Sequence, residues 1–154
     1  MVFLILVFIF QLMMEENKSV TESNIILKEP KGFAGLIANI MNPLNNDPKF
    51  KQAFGKTKRK ILINATNLQY AALVTIDNGT LKVEAIRNEP KENLKKEVTN
   101  WNGYAAMDTQ IFLGLATKRI SMLKLGVKIL KSEVKMRGIL KLLALLKLIK
   151  ILTS

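Results

Sequence analysis

DTQIFLGLATKR (108–119), SMLKLGVKIL (121–130), SEVKMRG (132–138) and ILKLLALLKLIKIL (139–152) form the stretch on which the reading of this chain turns. The first piece opens on Asp108-Thr109, a carboxylate and a hydroxyl suited to accept from the free backbone N–H groups of a helix start. The second reads as another apolar helix. The third alternates Lys with apolar residues as a short strand does. The fourth is built almost wholly of Leu, Ile and Lys. At 3.6 residues per turn, Leu142, Leu145, Leu146 and Ile149 share one face of that last helix. The opposite face mixes Lys141, Lys147 and Lys150 with Leu140, Leu143, Leu148 and Ile151. A helix apolar nearly all round needs protein on one side and something greasy on the other. Its 14 residues span about 21 Å, short of the roughly 30 Å of a bilayer core. The expectation is a helix that closes over an apolar ligand or touches a membrane surface.

Upstream, QYAALVTID and TLKVEAIR are strand-like runs joined by Asp77-Asn78-Gly79-Thr80, and a central Asn-Gly is the strongest short hairpin signal. Tyr70, Ala72, Val74 and Ile76 then share a layer with Leu81, Val83 and Ala85. Lys82 and Glu84 point the other way, which predicts a wet second face. KTKRKILINATN supplies a further strand with a basic entry, and WNGYAAMD a short one running into Asp108. NEPKENLKKEVTN between them reads as a loop or a ragged strand. Trp101 has three readings, a pocket mouth, a membrane interface or ordinary packing, of which packing is the default. FAGLIANIMN predicts a helix with Phe33, Leu36, Ile37 and Ile40 at core spacing. Asp47-Pro48 caps a second one carrying Phe50 and Phe54 and ending at Gly55. The order predicts an α+β domain.

Residues 1–31 stand apart from a domain at 32–154. Glu15 to Lys31 is polar and aperiodic, a linker by composition. MVFLILVFIF is too short for a transmembrane helix. It can be a membrane-lying anchor, an atypical uncleaved signal, or upstream sequence read from an early start codon, with Met13 and Met14 as later starts.

With 154 residues the chain is one domain, large enough for a core and a cavity. It is 49% apolar but only 6% aromatic, so a pocket would be walled by aliphatic side chains. There is no Cys and no His. That removes disulfides, thiolate nucleophiles, imidazole bases and the usual metal ligands, so neither catalysis nor a metal or other cofactor is expected. Asp108 is the one acidic residue considered for an active site, and capping is its expected job. The net charge of +12 is uneven: Lys118 to Lys150 holds ten Lys or Arg against Glu133 alone, a net of +9. Such a field suits lipid headgroups, an acyl-thioester nucleotide or nucleic acid, or merely keeps a leucine-rich surface soluble. Nucleic acid is the poorer fit, because no aromatic residue follows Phe112 to stack on bases. The thirteen Asn read as compositional bias of the source.

The tail resembles the end of the sterol-carrier-protein-type-two family. There a short strand, an acidic-capped helix, an apolar helix, a strand alternating Lys with apolar residues, a closing Gly and a final apolar helix follow in order. Here these are YAAM, DTQIFLGLATKR, SMLKLGVKIL, SEVKMRG ending at Gly138, and ILKLLALLKLIKIL. The hairpin ILINATNLQYAALVTIDNGTLKVEAI is similar to the family's opening strands, so the resemblance spans roughly Gly32 to Leu152. Where the family has a Gly shortly before its Lys-rich strand this chain has Leu130-Lys131-Ser132, and Ile139 stands where an acidic residue or Asn often follows the closing Gly.

The resemblance implies a five-stranded, mostly antiparallel sheet with helices packed on one face, enclosing an apolar tunnel for a fatty acid, acyl thioester, sterol or isoprenoid lipid. It also implies that no catalytic residue is shared. The wall would be Phe112, Leu115, Leu123, Val127, Met136, Leu142, Leu145 and Ile149. Ordinary core packing explains the same aliphatic spacing. The implied role is non-catalytic carriage, or presentation of lipid or quinone intermediates to a biosynthetic enzyme. The chain would work in the cytoplasm or at a membrane periphery. Leu152-Thr153-Ser154 lacks the peroxisomal ending of many relatives. The spacing is silent on whether the chain is a monomer or a dimer.

Overall fold

A computed structural model describes residues 25–27, 29–117 and 119–152. The readings of the opening apolar segment, of the linker before Ile25 and of the last two residues lie outside the described residues.

The hairpin forms as its turn chemistry dictates. Strands β3 (Tyr70–Asp77) and β4 (Thr80–Arg87) pair from Tyr70↔Arg87 to Asp77↔Thr80. Asn78 and Gly79 both take positive φ, 47° and 80°, the pair of values a two-residue type I′ turn requires. β2 (Lys58–Ala65) pairs antiparallel with β3. β5 (Gly103–Met107) joins the other side of β2 in parallel, and β6 (Lys135–Arg137) closes that edge antiparallel to β5. These are the five expected strands. A sixth, β1 (Ile26–Leu27), lies on β4 and draws the end of the expected linker onto the sheet. The strand order is β1-β4-β3-β2-β5-β6, so the architecture is α+β with a mixed, mostly antiparallel sheet.

One sheet face carries the main core. Ile61, Ile63 and Ala65, Ala72, Val74 and Ile76, and Leu81, Val83 and Ala85 alternate inward as the period of two demands. Above them lie α1 (Gly32–Met41), a 3₁₀ turn (Asn42–Asn46) and α2 (Pro48–Phe54). Asp47 Oδ1 accepts from Lys49 N at 2.7 Å, capping α2 as expected, and Phe50 and Phe54 are buried with ring centroids 5.2 Å apart. In α1 the buried face is Phe33, Ala34, Ile37, Ala38 and Met41, whereas Leu36 and Ile40 are exposed. The two alanines let the helix settle close on β3 and β4, which turns the expected face by about one position.

The second sheet face is not simply wet. At one end exposed Lys82 pairs with the largely covered Glu84 at 2.8 Å. At the other, Leu62, Ala71, Leu73, Ile86, Leu94 and Trp101 form a smaller core. The segment expected to be a loop or strand covers it as a 3₁₀ turn (Lys91–Leu94) and a one-turn helix, α3 (Lys96–Thr99). Asparagines hold that cover. Asn88 Nδ2 donates to Ala65 O and Leu68 O at 3.0 and 2.8 Å, and Asn93 Nδ2 donates to Arg87 O and Glu89 O at 3.2 and 3.1 Å. Trp101 packs into this core, buried with its Nε1 donating to Leu94 O at 2.9 Å, and one side of it lines a cleft on this face.

The C-terminal third folds as α4 (Thr109–Ala116), α5 (Met122–Leu130), β6 and α6 (Ile139–Leu152). α6 sits between α2 and the β2–β5 pair, so it is covered over a wide arc. Leu142 and Leu148 are buried and Leu145 and Ile151 pack partly against the core, while Leu146 points outward. The expected inward place of Leu146 and outward places of Leu148 and Ile151 are thus exchanged, because the helix is packed from two directions rather than one.

Between α5 and β6, Ser132 holds a φ of 60°. This is the region where the similar family carries a Gly, and a Cβ in that conformation is strained. Ser132→Gly is expected to raise stability by up to about 1 kcal/mol, read as a higher urea midpoint at unchanged slope. An unchanged or lower midpoint would show that the turn is not strained.

Candidate functional site

The candidate site is the layer between the inner sheet face and the C-terminal helices, where the residues named from the sequence are found as follows. α4 is anchored at its start: Asp108 Oδ1 accepts from Gln110 N at 2.8 Å, and Asn67 Oδ1 accepts from Thr109 N and Oγ1 at 3.0 and 2.7 Å. Asp108 is therefore engaged as a helix cap. The anchoring aims Phe112 at α1, where it meets Phe33 edge-on with centroids 5.1 Å apart. Leu115 packs partly against the same cluster, as do Met136 from β6 and Leu145 from α6. Leu142 is fully core, with its Cδ2 3.0 Å from where a Cβ would stand on Gly103, so the missing side chain at Gly103 sets how closely α6 approaches β5. Ile149 is half-buried.

Leu123 and Val127 are not gathered into this layer; they are 86% and 50% exposed on α5. That helix instead turns Leu125 inward, and Tyr70 and Ile120 join the half-buried wall. Two apolar arcs compete on SMLKLGVKIL, and Lys124, next to both Leu123 and Leu125, does not separate them. Half-buried apolar side chains from α4, β6 and α6 thus pack against the main core on this side of the sheet.

Polar chemistry lies elsewhere. On the outer sheet face a cleft of about 750 Å³ is lined by Asn64, Thr66, Leu94, Trp101, Tyr104 and Ala106, and rimmed by Lys91, Lys95, Lys96, Lys135 and Arg137 with Glu97 and Glu133. Glu133 accepts from Lys128 Nζ at 2.7 Å. That bond, aided by the charges of Lys128 and Lys131 and opposed by slight desolvation, holds its carboxyl below the ordinary glutamate value. Among the described residues no group of three or more acidic, His or Cys side chains is placed to hold a metal ion.

No family model matches the chain, and no curated protein matches it in sequence. Solved structures do. The UbiJ-SCP2 ubiquinone synthesis protein superposes with a TM-score of 0.52 at 13% identity, over 80% of this chain and 96% of that one. The fold is SCP2-like. Two structures of the sec-alkyl sulfatase Pisa1, one from Pseudomonas sp. and one a double mutant, overlap less well. Their TM-scores are 0.43 and 0.49 at 15% identity, over 64% and 70% of this chain, which spans only 13% and 14% of theirs. In the SCP2-like arrangement the sheet is the floor and α4 to α6 are the roof.

Proposed function

We propose that the chain is a non-catalytic carrier that holds a hydrophobic ligand in an apolar tunnel between the sheet and the roof helices. The reading rests on the convergence of Phe112, Leu115, Met136 and Leu145 as half-buried apolar side chains beneath an SCP2-like roof. The ligand class is a fatty acid, an acyl thioester, a sterol or an isoprenoid lipid. Burying roughly 300 Å² of hydrocarbon yields about 7 kcal/mol, enough after association costs for useful affinity with few polar contacts. Presentation of the ligand to a biosynthetic enzyme is the second form of this reading. The UbiJ-SCP2 neighbour is a ubiquinone synthesis protein, which favours a quinone intermediate as cargo in that case.

Displacement of a fluorescent acyl probe by fatty acid tests the proposal. The wild-type chain should bind the probe and release it. Leu145→Glu, which sets a carboxylate against the guest at a half-buried position, should weaken binding at least about tenfold while circular dichroism shows the fold intact. A folded wild type that ignores the probe would contradict the carrier reading.

A further inference from the structure

We propose that the outward faces of α5 and α6 dock on an anionic lipid bilayer. The inference goes beyond the carrier reading and stands on the helix surfaces, whatever occupies the interior. α5 sends Leu125 into the core and leaves Leu123, Val127 and Leu130 outside, with Leu130 as exposed as Leu123, at 86%. α6 sends Ile139, Leu140, Leu143 and Leu146 outward, Leu140 being 80% exposed. Exposed apolar side chains gathered in this way on a helix face mark an interaction site.

The charges among the leucines choose the partner. Lys124 and Lys131 flank the outward arc of α5, exposed Lys147 lies between Leu140 and Leu143 on that of α6 with its Nζ 5.4 Å from the Phe54 ring, and neither helix contains an acidic residue. Glu133, the one carboxylate between Lys118 and Lys150, is engaged by Lys128. A second copy of the chain would set these lysines against themselves across a two-fold axis, with no carboxylates to answer them. An anionic bilayer accepts both parts: leucines enter the acyl boundary and lysines reach back to the phosphates on their own aliphatic stems. No helix among the described residues is long and apolar enough to cross a membrane, so α5 and α6 would lie in the plane of the interface.

Co-sedimentation of the full chain with vesicles of phosphatidylcholine, with and without phosphatidylglycerol, tests this. Residues 1–10 are present in every variant, so differences between variants report the helices. The expected result is binding to the phosphatidylglycerol vesicles that weakens with salt. Leu123→Ser with Leu130→Ser should weaken it about a hundredfold. Lys124→Gln and Lys131→Gln together should weaken it about thirtyfold. Lys95→Gln with Lys96→Gln, on the opposite sheet face, should change it far less. These positions are exposed, so the variants should keep the wild-type circular dichroism. Three results would overturn the proposal: no binding to either vesicle, binding untouched by the leucine pair, or a vesicle-blind dimer in sedimentation that the leucine pair dissolves.

Discussion

Gly138→Ala is expected to lower stability by about 2–4 kcal/mol, the largest effect of any single added methyl group in the C-terminal third. Gly138 joins β6 to α6 with a φ of 65°. An alanine there costs about 1–2 kcal/mol in backbone conformation alone. Its Cβ would also run into the carbonyl oxygen of Asn102, and that backbone is fixed because Asn102 exchanges hydrogen bonds with Lys60 at 2.7 and 2.8 Å. Relief requires β6 and the start of α6 to move off β5. That start is itself built on Gly138, whose carbonyl accepts from Lys141 N and Leu142 N at 2.8 and 3.2 Å. Urea unfolding followed by circular dichroism measures it. A change within about 0.5 kcal/mol would mean the turn is free to adapt and that Gly138 does not fix the approach of α6.

Trp101→Ala is expected to cost about 3–5 kcal/mol, in the range for removing a large buried aromatic side chain. The indole packs against Tyr104 with centroids 5.4 Å apart and lies under Lys96 Nζ at 6.0 Å. Its loss opens a void in the smaller core and orphans the Leu94 carbonyl. Trp101→Phe keeps most of the ring and loses the hydrogen bond, so about 1–2 kcal/mol is expected. Because Trp101 is the sole tryptophan, wild-type emission should be blue-shifted and should move to red when the cover opens. Denaturant melts of both variants decide. A cost near zero for Trp101→Ala would show that the cover is not part of the cooperative fold.

Local rules made much of this molecule readable from its residues. Asn78-Gly79 fixed the hairpin, Asp47 and Asp108 fixed two helix starts, and the order of elements from β5 to α6 carried the SCP2-like resemblance. The errors arose where tertiary packing overrides periodicity. In the last helix Leu146 and Leu148 are equally apolar, and only a groove with two walls selects Leu148 for the interior. Residues 88–100 look like a loop because their contribution is made by side-chain amides, which periodicity does not register. Asn88, Asn93, Asn45, Asn67 and Asn102 each bond a distant backbone or cap, so several of the thirteen asparagines are structural ties, not bias alone. At the candidate site the aliphatic stripe was legible as apolar side chains facing the sheet, of which Phe112, Leu115, Met136 and Leu145 are half-buried against the core. Its split into an inward Leu125 and an outward Leu123 depends on a helix orientation that the alternation of Leu and Lys leaves ambiguous.

The central claim is that the roof helices and the sheet enclose a guest of hydrocarbon. Native mass spectrometry of the purified chain, first as isolated, then delipidated, then after addition of a fatty acid or an isoprenoid quinone, measures it directly. The account predicts a mass increment of a single lipid that is stripped by delipidation and restored on addition. A chain that stays folded at its bare mass through all three states would contradict it.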